Sequence, residues 1–207
     1  MIRLAREGGL WIATLDRPEK ANALTEAMLR ELAEIAEGAH EARALILTGT
    51  GKVFSAGADL EAARAGLATS PLWERLSGAI AGLPCLTVAA LNGTVAGGAM
   101  GMALACDLRI AAQGAGAFYP VMRLGFRPQP SDPARLAALV GPARAKMILL
   151  AGIKVSTEEA LAWGLFDRAV PREAVLAEAR ALCADSLAAS PEHAAALKAM
   201  CRAAGAG

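Results

Sequence analysis

Short apolar runs of strand length alternate along this chain with stretches whose apolar residues recur three and four apart. Leu10 to Leu15 reads as a strand, followed by the breaker-rich turn Asp16-Arg17-Pro18-Glu19-Lys20. Thr25 can cap a helix that runs to about Glu37. Leu29, Leu32, Ala33 and Ala36 supply its apolar stripe, and Glu26/Arg30 and Arg30/Glu34 its opposite-charge pairs. Ala44 to Thr48 is a short buried strand. A helical stretch from Leu60 to about Gly82 breaks near Ser70-Pro71. The run Cys85 to Leu91 predicts a buried strand, Gly97 to Ala105 a buried helix and Leu108 to Ala112 another strand. Three prolines between Arg127 and Pro133 forbid a continuous helix there. Helices are expected from about Ala134 and Pro142, and Ser156-Thr157-Glu158-Glu159 has the form of a capping box. Leu165 to Val170 reads as a strand. Two alanine-rich helices close the chain, the last opened by Ser190-Pro191.

Strand-and-helix units followed by helices alone predict an α/β fold, with a core over 1–170 and a helical C-terminal region over 171–207. The composition is globular, with 55% hydrophobic and 20% charged residues. A net charge of +1 with no block of like charges excludes a nucleic-acid footprint. No charge occurs from Ser77 to Cys106, a length that could span a bilayer. Pro84, Asn92-Gly93 and Gly97-Gly98 interrupt it, so a strand, a turn and a helix inside a core are expected, with no membrane contact. Cys85, Cys106, Cys183 and Cys201 form no CxxC or Cys/His cluster and read as small core residues in a reducing compartment, so no metal is expected. The N-terminal residues lack the apolar region of a secretory signal, and the expected location is cytoplasmic.

Candidate chemistry lies in two glycine-rich segments, Phe54-Ser55-Ala56-Gly57-Ala58-Asp59-Leu60 and Asn92-Gly93-Thr94-Val95-Ala96-Gly97-Gly98-Ala99-Met100-Gly101. Each follows a strand-like run and leads into a helical pattern. Small residues let a ligand approach the backbone, and a helix start offers free N–H groups. Two such groups converging on one carbonyl oxygen would form an oxyanion hole. Gly97-Gly98 does not complete a dinucleotide motif, and Gly51-Lys52 lacks the upstream glycine and following Ser/Thr of a phosphate loop.

This pair of segments resembles the crotonase superfamily, the enoyl-CoA hydratase/isomerase family. Leu15-Asp16-Arg17-Pro18 with Asn22-Ala23-Leu24, Cys106-Asp107, Ala151-Gly152, Ala160 and Gly164-Leu165 fit the same pattern in the same order. The resemblance implies a spiral of ββα units with a short helical C-terminal region. It also implies an acyl-CoA or enoyl-CoA as substrate or ligand with no further cofactor, a trimer or dimer of trimers, and a lyase or isomerase of fatty acid metabolism. By that resemblance the N–H groups of Ala58 and Gly98 grip the thioester oxygen. The backbone of Asn22, Ala23 and Leu24, with Ala56 and Ala58, lines the CoA site, with Ala56 near the adenine. The chain also stops sooner after the Pro191 helix than the family pattern does.

The departures concern the acid and base. The two glutamates that hydratases keep would fall at Gly101 and Val121, and the turn after Pro128 reads Gln129-Pro130-Ser131-Asp132-Pro133. Glycine and valine transfer no protons, so ordinary hydratase activity is expected to be weak or absent. Asp132 is the first candidate for a substitute base, although its more ordinary role is the N-cap of the Ala134 helix with Pro133 at its first position. Tyr119, Gln129 and Ser131 could orient water or the acyl group, whereas Glu61 and Glu74 read as solvated helix residues. A non-catalytic acyl-CoA-binding or regulatory homologue is the alternative. A serine peptidase of related fold is more remote, since His40 and His193 are the only histidines and neither is obviously near the glycine loops.

Overall fold

The computed structural model describes residues 1–204, with side chains through Arg202. The chain opens with an antiparallel hairpin, β1 (Ile2–Glu7) and β2 (Leu10–Leu15), turning through Gly8 and Gly9 at positive φ. Helix α1 (Glu26–Gly38) follows, with the Thr25 side chain accepting from the N–H of Met28. Its stripe of Leu29, Leu32, Ala33 and Ala36 is buried, and Arg30 pairs with Glu26. A repeat then begins. Strand β3 (Ala44–Gly49) is followed by β4 (Val53–Ser55) and helices α2 (Leu60–Arg64) and α3 (Leu72–Gly82). Next come β5 (Leu86–Leu91), β6 (Thr94–Ala96) and α4 (Ala99–Ala105). The third turn holds β7 (Leu108–Ala112), β8 (Ala117–Phe118), α5 (Val121–Leu124), α6 (Asp132–Val140), α7 (Pro142–Leu149) and α8 (Thr157–Trp163). The chain continues with β9 (Arg168–Val170), α9 (Val175–Leu182), α10 (Ala184–Ala188) and α11 (Pro191–Ala204).

Two sheets arise from this repeat. The larger has the order β1-β2-β3-β5-β7-β9 and is parallel apart from the hairpin; the smaller is β4-β6-β8, all parallel. Each turn of the chain lays one strand in the large sheet, one in the small sheet, and then a helix. That is the expected spiral of ββα units. Successive turns run the same way, so their strands pair in parallel and the loops leaving β4, β6 and β8 emerge side by side at one end of the small sheet. The charge-free stretch after Ser77 becomes the end of α3, then β5, β6 and the wholly buried α4. No helix among the described residues is long and apolar enough to cross a membrane.

Several boundaries differ from the sequence reading. Strand β1 gives no signal in the sequence, because Arg3, Arg6 and Glu7 sit on an exposed edge and interrupt the apolar pattern. The strand expected from Leu165 starts only at Arg168. Gly164 adopts φ +78° and ends α8, and the N–H groups of Leu165 and Phe166 turn back to the Ala160 carbonyl, so those residues form a cap and not a ladder. The Ser156 capping box is present as expected. Among the described residues three helices close the chain, since the first of the two expected ones breaks at Cys183 and the Pro191 helix forms as expected. The division at residue 170 does not separate two cores: α9 packs on β3, β5, β7 and β9, burying Val175, Ala179 and Cys183. Cys85, Cys106 and Cys183 are core residues, but Cys201 is exposed on α11.

Candidate active site

The loops after β4, β6 and β8 carry residues 56–58, 97–98 and 119–121, and all three segments line one cavity of about 360 Å³. Parallel pairing of adjacent strands brings them together. The two glycine loops touch. A Cβ placed on Gly57 would lie 2.9 Å from the carbonyl oxygen of Ala96 and 3.3 Å from the nitrogen of Gly98. Gly57 also sits at φ +90°, so no other residue fits there without strain. A Cβ on Gly98 would meet the Trp73 ring at 2.9 Å. That ring is buried, and its indole N–H donates to the carbonyl of Leu67 at 2.8 Å, which fixes its plane. Trp73 does not stand out in the sequence, where it is one more apolar position of α3 beside Leu76 and Ile80. Among the described residues, the N–H groups of Ala58 and Gly98 donate to no backbone carbonyl.

A second depression of about 600 Å³ adjoins the first and shares Ala56, Ala58, Leu60 and Arg64 with it. Arg17, Lys20, Ala23, Asp59 and Glu61 complete much of its wall. Asp59 caps α2 by accepting from the N–H groups of Glu61 and Ala62, and Arg17 donates to it at 2.8 Å. That guanidinium, before the two backbone donors, holds the Asp59 carboxyl below its ordinary range. Ala23, Ala56 and Ala58 lie on this surface, and the side chains of Asn22 and Leu24 point away from it into the core. Asn22 is fully buried at φ +52°; its amide donates to the carbonyls of Thr50 and Val53 and accepts from the N–H of Arg17. It ties the wall together from behind and has no side-chain group left for a ligand. Leu24 is core, and its backbone bonds to Gly57 and Asp59 align the 57–59 loop.

Opposite the glycine loops the wall is made of side chains. Val121 is there, a hydrocarbon where the resemblance puts a glutamate. Gly101 does not line the cavity; it lies in the middle of α4, fully buried. The space a side chain there would take is filled by another residue. A Cβ on Gly101 would lie 2.8 and 2.9 Å from the two carboxyl oxygens of Asp132, which reach in from α6. Asp132 is 1% exposed. The Tyr119 hydroxyl donates to its Oδ2 at 2.8 Å, while its Oδ1 has no hydrogen-bond partner and Arg135 stands 3.9 Å away. Burial without full compensation raises the Asp132 carboxyl to about 6. The same burial, with the carboxylate beside it, pushes the Tyr119 hydroxyl far above the phenol range, so it keeps its proton.

The capping role expected as the ordinary reading of Asp132 is thereby corrected. Asp132 is the first residue of α6, Pro133 follows it, and its side chain turns inward and caps nothing. The loop before it is held by Glu74, whose carboxylate accepts from the Ser131 N–H at 3.2 Å and from the Ser131 hydroxyl. Glu74 is thus half-buried and engaged, not a solvated helix residue, and Ser131 has no hydroxyl proton to spare for a ligand. Gln129 and Tyr119 line the cavity. His40 and His193 are exposed and line neither depression, so no serine–histidine pair forms at the site.

The enoyl-CoA hydratase/isomerase family profile matches residues 5–205. The chain belongs to that family. A Rhodobacter capsulatus protein named "Probable enoyl-CoA hydratase" is 41% identical over 82% of this chain and 68% of its own length. The carnitinyl-CoA dehydratase of Citrobacter koseri is 36% identical over 98% of this chain and 80% of its own length. Among solved structures, the enoyl-CoA hydratase of Bacillus anthracis superposes with a TM-score of 0.88 at 31% identity, covering 95% of this chain and 80% of that one.

Proposed function

We propose that this protein is an enzyme acting on a CoA thioester, and that it uses one displaced carboxyl group where family hydratases use two glutamates. The apolar cavity takes the acyl group. The adjoining depression, with Arg17, Lys20 and Arg64 on its wall, takes the CoA portion. The thioester carbonyl lies between, against the ledge of Ala56 to Ala58 that both share. The N–H groups of Ala58 and Gly98 stabilise the negative charge that develops on its oxygen, each worth about 3 kcal/mol in the transition state. Asp132 supplies the basic group, from behind Tyr119 on the cavity wall. The observation that carries this reading is the carboxyl of Asp132 filling the space of a side chain at 101 while Tyr119 links it to the cavity wall. The curated relatives named for thioester hydration and dehydration point to chemistry at the α- and β-carbons of the acyl group.

With Val121 in place of a second acid, water addition loses one of its two proton-transfer groups, typically about 10²- to 10⁴-fold in rate. Ordinary hydration is therefore weak, and removal or return of an α-proton is the favoured step. Incubation with crotonyl-CoA, followed by mass spectrometry and chromatography against a protein-free control, tests this. Slow or absent water addition together with tight acyl-CoA binding is the expected result; rapid hydration would overturn it. One observation favours a second reading, a non-catalytic acyl-CoA binder: Asp132 itself is closed off from solvent and does not line the cavity.

A further inference from the structure

Asp132 cannot reach a ligand in the cavity directly, because it is buried and absent from the cavity wall. Tyr119 does line that wall, and its hydroxyl lies 2.8 Å from Asp132 Oδ2. The hydroxyl proton is committed to the carboxylate, which leaves the lone pairs of the phenol oxygen free of that bond. Building on the thioester reading, we propose that Tyr119 is the catalytic residue that exchanges a proton with the substrate, and that Asp132 is a positioning and proton-storing residue acting through it.

The step balances. The Cα–H bond of the acyl group breaks and its electron pair moves into an enolate held at the thioester oxygen. The proton passes to Tyr119 Oη as the original phenolic proton passes to Asp132 Oδ2. Return of the proton runs the same path backwards, and no tyrosinate accumulates. This accounts for the phenol next to a carboxylate: alone, Tyr119 is too weak an acid and its neutral oxygen too weak a base for this transfer near neutral pH. It also gives Gly101 a reason, since any side chain there would displace the Asp132 carboxyl. The charged groups facing Asp132 are Arg135 on its own helix and Glu74 on α3, of opposite sign.

The test is exchange of the α-protons of butyryl-CoA in deuterated water, followed by nuclear magnetic resonance, with butyryl-CoA affinity measured by calorimetry on the same samples. Tyr119→Phe removes one oxygen and keeps the ring in its packing. Tyr119→Phe and Asp132→Asn are each expected to slow exchange by about 10²-fold or more, with affinity within a few-fold of wild type. The double variant is expected to lose little more than either alone, as for residues acting in one unit. Wild-type exchange should rise through about pH 6 as Asp132 ionises, and Asp132→Asn should remove that rise. Retained exchange in Tyr119→Phe with loss in Asp132→Asn would overturn the relay and make Asp132 the direct base. Binding without exchange in the wild type would overturn the relay and leave the thioester site standing. Failure of the wild type to bind butyryl-CoA would remove the thioester reading itself and the relay with it.

Discussion

On one side of the cavity the candidate chemistry belongs to the main chain, at Ala58 and Gly98; on the other it belongs to side chains, at Tyr119, Val121 and Asp132. The backbone side requires only that residues 57, 58 and 98 stay small and that β4 and β6 pair in parallel. The side-chain side requires a particular group at a particular point, and Gly101 of α4 has no side chain to supply one. A carboxyl from α6 occupies the point instead. The difference teaches that a backbone site resists substitution of neighbouring side chains, while a side-chain site can be refilled from another part of the chain.

The largest effect is expected from crowding the backbone side. Gly98→Ala puts a Cβ at 2.9 Å from the Trp73 ring and shifts the donor N–H, so thioester chemistry should fall by about 10²- to 10³-fold in steady-state kinetics. Little change would mean that the Gly98 N–H is not a donor to the reacting oxygen.

Next in size is the pH dependence of the side-chain side. Because burial raises Asp132 from 3.8 to about 6, the native state holds its proton more tightly than the unfolded chain does. Its ionisation therefore costs stability as pH rises from about 4 to about 6, and the cost stays above that window. A rise of that size is worth about 3 kcal/mol. Asp132→Asn cannot ionise, so denaturant unfolding at pH 4 and pH 7 should show the variant gaining on wild type by roughly that amount. A constant difference between the two proteins would contradict an elevated Asp132.

Restoring the family's side chain tests the refilling directly. Gly101→Glu alone forces its Cβ into the Asp132 carboxyl and should cost about 1–3 kcal/mol of stability. Combined with Asp132→Gly the clash is gone, and the two changes should couple by about 1–3 kcal/mol in a double-mutant cycle. Additive effects would show that the two positions do not share one space. The smallest effect serves as a remote control: Ser156→Ala breaks the capping box of α8, costing about 1 kcal/mol in thermal unfolding and leaving kinetics unchanged.

Much of the fold is legible in the sequence because its signals are local. The Thr25 cap, the α1 stripe, the strand Leu108–Ala112 and the Ser156 capping box all follow from residues within one turn or one strand. The segment Leu165-Phe166 is apolar enough for a strand, but the positive φ of Gly164 commits it to a cap. The two glycine-rich segments are legible as candidates because glycine and small residues between a strand and a helix are a sequence signal, and the family resemblance singles out Ala58 and Gly98 within them. The place of Asn22 is not legible, since nothing local tells whether an asparagine faces a groove or braces it from behind.

The sequence by itself determined the alternation of strands and helices, the smallness of the glycine loops, and the absence of a carboxylate at 101 and 121. It also placed an aspartate at 132 without saying where it points. Only the tertiary structure decided that, 31 residues apart along the chain, Gly101 and Asp132 share one volume and that Tyr119, on the cavity wall, is hydrogen-bonded to that carboxyl. The reason is physical. Helix periodicity and turn preferences act over a few residues, whereas which side chain fills a given point depends on how α4, α6 and β8 pack, and packing is set by every element at once.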